Sequence, residues 1–150
     1  MTRLEEYKNH INSDNFNDMI AKVNKIIAEK NLTSYMNDTK WIELQNAIDD
    51  LPFPPPYIMK LIFDYDGLCH PDKISDAPHY LGDWSSYWNE GLPPFFIIEW
   101  LKVCPRYGKY RGRLVNDEIW DETEEFVTIL KKYNIPHEKE NGIFTIYGYK

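Results

Sequence analysis

Cysteine is scarce: Cys69 and Cys104 are the only two in 150 residues. Two thiols make no disulfide framework, and both stand beside apolar or turn residues, so each reads as a buried reduced side chain. Long apolar runs are missing too. The longest, Leu92 to Cys104, is interrupted by Glu99 and Lys102 and is too short to cross a bilayer as a helix. The first residues, Met-Thr-Arg-Leu-Glu-Glu-Tyr-Lys, lack the apolar core of a signal peptide, which predicts a cytoplasmic chain. Basic residues are in deficit, with 17 Lys and Arg against 24 Asp and Glu and a net charge of −7. That balance argues against general affinity for nucleic acid or anionic membranes and favours a basic partner. There is no glycine-rich phosphate loop, nucleophile elbow, Cys-x-x-Cys pair or zincin helix. The expectation is a non-enzymatic protein without metal or cofactor.

Aromatic residues, in contrast, are abundant. Eleven Tyr, seven Phe and five Trp make up 15% of the chain. That is enough to build the core of one domain of this length and still supply rings to a surface.

Apolar periodicity places the elements. Leu4, Tyr7 and Ile11 predict a short helix. Phe16, Met19, Ile20, Val23, Ile26 and Ile27 predict a second, capped by Asp14 or Asn15 and ended by Asn31. Trp41, Leu44, Ala47, Ile48 and Leu51 form the stripe of a third, with Asn37, Asp38 or Thr39 as cap and Pro52 as stop. Pro52 to Tyr57 imposes an extended connector. Within it, Pro54-Pro-Pro-Tyr57 fits a proline-recognition pattern that is short enough to arise by chance. Tyr57 to Tyr65 has strand character, and residues 66–86 form a long loop rich in turn residues. Phe95 to Cys104 is apolar on both faces and predicts a central strand buried between two layers. Arg106 to Arg113 follows as a basic loop. Residues 114–134 predict a helix with Ile119, Thr123, Phe126, Ile129, Leu130 and Tyr133 on one face, and Asp121 with Glu124 fits a capping box, so the regular helix could begin as late as that. Asn141-Gly142 predicts a type I′ hairpin turn before a strand from Ile143 to Tyr149. Helices and strands are partly segregated, which predicts a single α+β domain over residues 1–150, with N-terminal helices on a small mixed or antiparallel sheet.

Four chemistries can be drawn from these residues. His70, Asp72, Asp76, His79 and Asp83 are metal-ligating types in one loop, but their spacing fits no ligand motif. Cys104 or Cys69 as a nucleophile has no histidine nearby in sequence. Glu99, with Asp64, is a carboxylate in a run that should be buried; Lys60, Lys102 or Arg106 could satisfy it, and a pocket near Glu99 is the basis of an enzyme or ligand-binding alternative. Arg106, Lys109, Arg111 and Arg113, with Tyr107 and Tyr110, could bind an anion or serve a nucleic-acid adaptor. The plainer expectation is that this basic loop pairs with the acids from Asp117 to Glu125.

Leu51-Pro-Phe-Pro-Pro-Pro-Tyr57, Gly82-Asp-Trp-Ser85, Pro93-Pro-Phe-Phe96, Pro105-Arg-Tyr-Gly108, Tyr133-Asn-Ile-Pro136 and the Asn-Gly hairpin together resemble a family of small uncharacterised bacterial proteins. The resemblance implies no catalytic residues. By analogy, small size and acidity are similar to those of immunity proteins that neutralise bacterial toxins. The expected function is therefore protein binding, as an immunity protein or antitoxin for a basic toxin. Asp83, Trp84, Tyr87, Trp88 and Glu90 are one expected partner-binding patch, and Asp117, Glu118, Asp121 and Glu122 a second.

Overall fold

The structure, a computed structural model, describes residues 1–63 and 74–150. Among these residues the helices are α1 (Arg3–Asp14), α2 (Asn17–Lys30), α3 (Asp38–Ile48) and α4 (Thr123–Lys132). The strands are β1 (Tyr57–Leu61), β2 (Ile98–Val103), β3 (Arg106–Lys109), β4 (Glu118–Asp121), β5 (Glu138–Glu140) and β6 (Ile143–Tyr147). Four strands form an antiparallel sheet in the order β1-β2-β6-β5, and β3 and β4 form a separate two-stranded ribbon. The class is α+β.

Local chemistry sets the helix ends. Thr2 and Glu5 close a reciprocal capping box on α1, and the Asn37 side chain accepts from the Lys40 amide at the start of α3. Asn15 and Asn31 end α1 and α2 in the left-handed conformation, which asparagine adopts more readily than most residues. Asn15 thus ends the first helix rather than capping the second, whose N-cap is Phe16. Asn141 and Gly142 both take positive φ and turn β5 into β6 through a two-residue loop.

The core lies on one face of the sheet. Leu101 and Val103 of β2 and Phe144 and Ile146 of β6 are buried there against Tyr7 of α1, Trp41, Leu44 and Ile48 of α3, and Phe126 and Leu130 of α4. Phe95 sits between two rings: its centroid is 4.3 Å from that of Tyr7 and 5.8 Å from that of Trp41. Its amide donates to the Tyr7 hydroxyl, so a buried polar group is satisfied inside the stack. The strand expected from Phe95 to Cys104 is shorter, because Phe95–Ile97 forms a 3₁₀ turn that leads into β2. Nor is it buried on both faces, since Trp100 and Lys102 remain half-buried on the side away from the helices.

The β1–β2 register shifts between Lys60 and Leu61, which pair with Trp100 and Ile98, so Glu99 is the extra residue of a bulge. The slip brings Ile98 onto the same face as Leu101 and Val103. Beyond it, Ile97 and Ile62 join Val23 of α2 in a second, smaller cluster.

The proline connector is packed on the domain. The Gly82 amide donates to the Pro54 carbonyl, and the Trp84 indole donates to the Pro55 carbonyl at 2.9 Å. The Tyr57 hydroxyl donates to the Asp83 carbonyl. A Cβ on Gly82 would stand 2.1 Å from the Pro55 oxygen. Gly82→Ala must therefore push two backbones apart, with an expected loss of about 1–3 kcal/mol, read as a lower urea midpoint at unchanged slope. An unchanged midpoint would refute this account of the corner.

Candidate functional site

The first expected patch is mostly a structural corner. Trp84 is 5% exposed, with its indole on Pro55 and its carbonyl accepting from the buried Gln45 amide. As a surface anchor it is therefore a correction: an apolar ring whose N–H finds a backbone acceptor gains more from burial than from water. The Asp83 carboxylate accepts from the Ser85 amide and closes a local turn. The Tyr87 hydroxyl donates to Asp14 at 2.7 Å, and Trp88 stacks on His10 with centroids 3.8 Å apart. Both rings are half-buried and tie the 3₁₀ turn Tyr87–Asn89 to α1. Glu90 is exposed, with φ of 60°.

The second patch and the basic loop prove to be one object. Residues 106–109 and 118–121, expected as loop and helix, are β3 and β4. Their register sets Arg106 opposite Asp121, Tyr107 opposite Trp120, Gly108 opposite Ile119, and Lys109 opposite Glu118. Opposite charges meet at both ends and two aromatic rings meet between them, a set of cross-strand pairs that outweighs the helical period of 114–134. The capping box accordingly fails. Helix α4 starts at Thr123, and the Asp121 carboxylate accepts from the Thr123 amide at 2.8 Å; Thr123, through its side chain first and then this amide, holds Asp121 below the ordinary carboxylate range. The complementary charges of Arg-Tyr-Gly-Lys and Glu-Ile-Trp-Asp were the available sequence signal for this pairing.

The ribbon carries apolar side chains that sequence periodicity had assigned to a helix or passed over. Tyr110, Leu114, Val115, Ile119 and Trp120 are all exposed, Leu114 completely at 100% and Ile119 at 54%. Trp120 also lies beside the Tyr107 and Phe53 rings, so its face of the ribbon runs on to the buried Phe53 side chain, while Ile119, one residue earlier on β4, faces the other way. The ribbon is fastened at mid-strand and at its loop end. The Gly108 amide donates to the Pro78 carbonyl, a Cβ on Gly108 would stand 2.9 Å from the Ala77 oxygen, and His79 contacts Asp117 at 2.5 Å. Three of the four candidate anion-binding cations already have partners. Arg106 donates to the Asp76 carbonyl, Lys109 lies over the Trp120 ring, and Arg111 donates to the Asn116 carbonyl. Arg113 is exposed.

Glu122 is not on this surface. It is 1% exposed at the N-cap of α4, with one carboxylate oxygen accepting from the Phe53 amide at 3.2 Å and the other without a hydrogen-bond partner among the described residues. Its inclusion in the acidic patch is corrected, because the β4–α4 junction turns this side chain inward while Asp121 stays out. Burial, reinforced by Glu125 and Asp121, pushes its carboxyl up to about 8.

The remaining candidates do not converge. Glu99 is paired with Lys60 at 2.7 Å, with both side chains largely buried. Asp76, His79 and Asp83 serve separate local contacts, and no group of three or more potential ligands for a metal gathers among the described residues. Cys104 is buried near the Ser75 and Asp76 carbonyls, and burial raises its thiol above the ordinary range despite Arg106. Asp64, Cys69, His70 and Asp72 lie outside the described residues. No helix among the described residues is long and apolar enough to cross a membrane.

A model of the family of unknown function DUF6678 matches residues 23–150. No curated protein and no solved structure matches the chain.

Two outcomes follow from the buried charges. In the folded chain Glu122 keeps its proton to about pH 8, whereas unfolded it titrates near 4.5. The folded state therefore binds the extra proton between these values, and stability falls as pH rises through that window. Glu122→Gln should flatten this decline in urea midpoints measured across the same range; an unaltered profile would refute the assignment. For the ion pair, Lys60→Met should cost about 3–5 kcal/mol by stranding Glu99, while Lys60→Met with Glu99→Leu should recover most of that loss. Equal losses in the single and double variants would show that Glu99 never depended on Lys60.

Proposed function

We propose, for a chain that belongs to the family of unknown function DUF6678, a non-enzymatic role in which the β3–β4 ribbon captures a protein with a basic surface. The observation that carries this reading is the exposed group Tyr110, Leu114, Val115, Ile119 and Trp120 on a ribbon outside the main sheet. Apolar side chains exposed on one ribbon and its loop gain free energy when a partner removes them from water, and aromatic residues are effective anchors. Glu118 and Asp121 of β4 stand opposite Lys109 and Arg106, while Glu124 and Glu125 in the first turn of α4 are exposed and give that flank acidic character. Together with a net charge of −7, that flank steers a basic partner and disfavours nucleic acid. An immunity protein or antitoxin in a bacterial cell, sequestering a basic toxin, is the biological role that fits these properties.

Capture of interacting proteins from the source cell, followed by binding measurements on the purified partner, tests the reading. The combined Leu114→Ser, Val115→Ser and Ile119→Ser variant should weaken binding by about tenfold or more, and partner affinity should fall with added salt. The fold should survive, since these side chains contact water. Unchanged affinity in the triple variant would overturn the assignment of the ribbon, and an acidic partner would overturn the electrostatic half of the proposal.

A further inference from the structure

The two edges of the main sheet differ in kind. At one edge β5 reads Glu-Lys-Glu and is fully exposed, and such charges discourage further strand pairing. At the other edge β1 reads Tyr-Ile-Met-Lys-Leu and carries no such guard, because its one charged side chain, Lys60, is buried with Glu99. The Cys104 amide donates to the Pro56 carbonyl at 2.9 Å. In an antiparallel ladder the bonded couples then recur at Ile58–Lys102 and Lys60–Trp100. Tyr57 and Met59 accordingly turn their backbone groups away from β2. The Gly148 amide, donating to the Glu99 carbonyl, sets the complementary alternation on the β6 side. No described residue pairs with the Met59 amide or carbonyl.

Beside this edge lies an apolar groove of about 450 Å³, lined by Phe16, Met19, Met59, Leu61, Tyr87 and Pro94 among others. Met59 pairs with Leu101 and so points to the core side of the sheet. A strand laid against β1 would send every second side chain toward the groove. Glu90 is the one charged side chain among the described residues of the wall. Tyr87 brings in a second carboxylate by donating to Asp14, the last residue of α1, where the carbonyl end of the helix adds partial negative charge.

We propose that this edge and groove bind an extended peptide segment of a partner protein by strand addition. The peptide pairs with the Met59 amide and carbonyl, places alternate apolar side chains in the groove, and sets a Lys or Arg beside Glu90 and Asp14. The site is separate from the ribbon and stands or falls independently of it.

Fluorescence polarisation with the full chain and a labelled Lys-Val-Thr-Val-Thr-Val peptide provides the test. Two further versions of the peptide are N-methylated at one or the other alternate set of residues. Saturable binding should weaken by about tenfold or more for one methylated set and little for the other, because only one set turns its amides toward β1. Glu90→Gln should weaken binding by about threefold to tenfold. Met19→Trp, which fills the groove, should abolish it, with urea midpoints confirming that both variants fold. The Leu114→Ser, Val115→Ser and Ile119→Ser variant should bind the peptide like the parent chain. Equal binding of all three peptides would overturn strand addition and leave a groove for apolar compounds. Absence of saturation at about 1 mM peptide would overturn the site.

Discussion

Strand β2 is the element on which the rest of the domain depends, because one of its faces is fully buried and its register is broken once. Ile98, Leu101 and Val103 are each 0% exposed and form the floor against which α1, α3 and α4 pack. A regular strand could not present all three to one side, since residues 98 and 101 differ by an odd number. The bulge at Glu99 resolves the conflict, and the paired Lys60 answers the charge that the bulge leaves among apolar neighbours. Pairing Glu99 in regular register, with no bulge, would turn Ile98 to the other face and separate the main core from the small cluster under α2.

Around that floor the chain divides into fastened and unfastened parts. The proline connector and the Gly82–Ser85 turn hold each other through backbone carbonyls and the Trp84 indole, so two segments rich in turn residues become a rigid corner. The β3–β4 ribbon is secured at mid-strand by Gly108 and at its loop end by His79 on Asp117, while Leu114, Val115 and Ile119 carry apolar side chains into solvent. Backbone anchoring combined with exposed apolar side chains suits a binding element, because little ordering remains to be done on association. Strand β1 contrasts with β5 in the same sense. One edge of the sheet is guarded by charge, whereas the other opens onto an apolar groove.

Glu122 shows how closely an exposed and a buried charge can stand in one chain. Asp121, one residue earlier, is held below its ordinary range by Thr123 and lies exposed, opposite Arg106. Glu122 is turned inward onto the Phe53 amide and pushed upward by burial. Successive residues leaving a strand point to opposite sides, and that geometry alone separates their chemistry.

What the sequence by itself determined is the set of features written in neighbouring residues. These are the three N-terminal helices with their apolar stripes, a cap for the third within Asn37–Thr39, the end of the second at Asn31, the Asn141-Gly142 hairpin and the α+β class. Each depends on periodicity or turn chemistry within a few residues, which survives without knowledge of the rest of the chain. The partner for Glu99 was also legible, as one of a few cations on neighbouring segments. Tertiary structure alone decided the rest. It drew Glu118–Asp121 out of a helical pattern into a strand, because Arg106–Lys109 offered matching charges and rings across the loop of residues 110–117. It buried Trp84 and Glu122 beneath segments remote in sequence and left Ile119 and Trp120 outside. Whether an aromatic ring or a carboxylate serves a surface or a core depends on what folds over it, and nothing in its immediate neighbours records that.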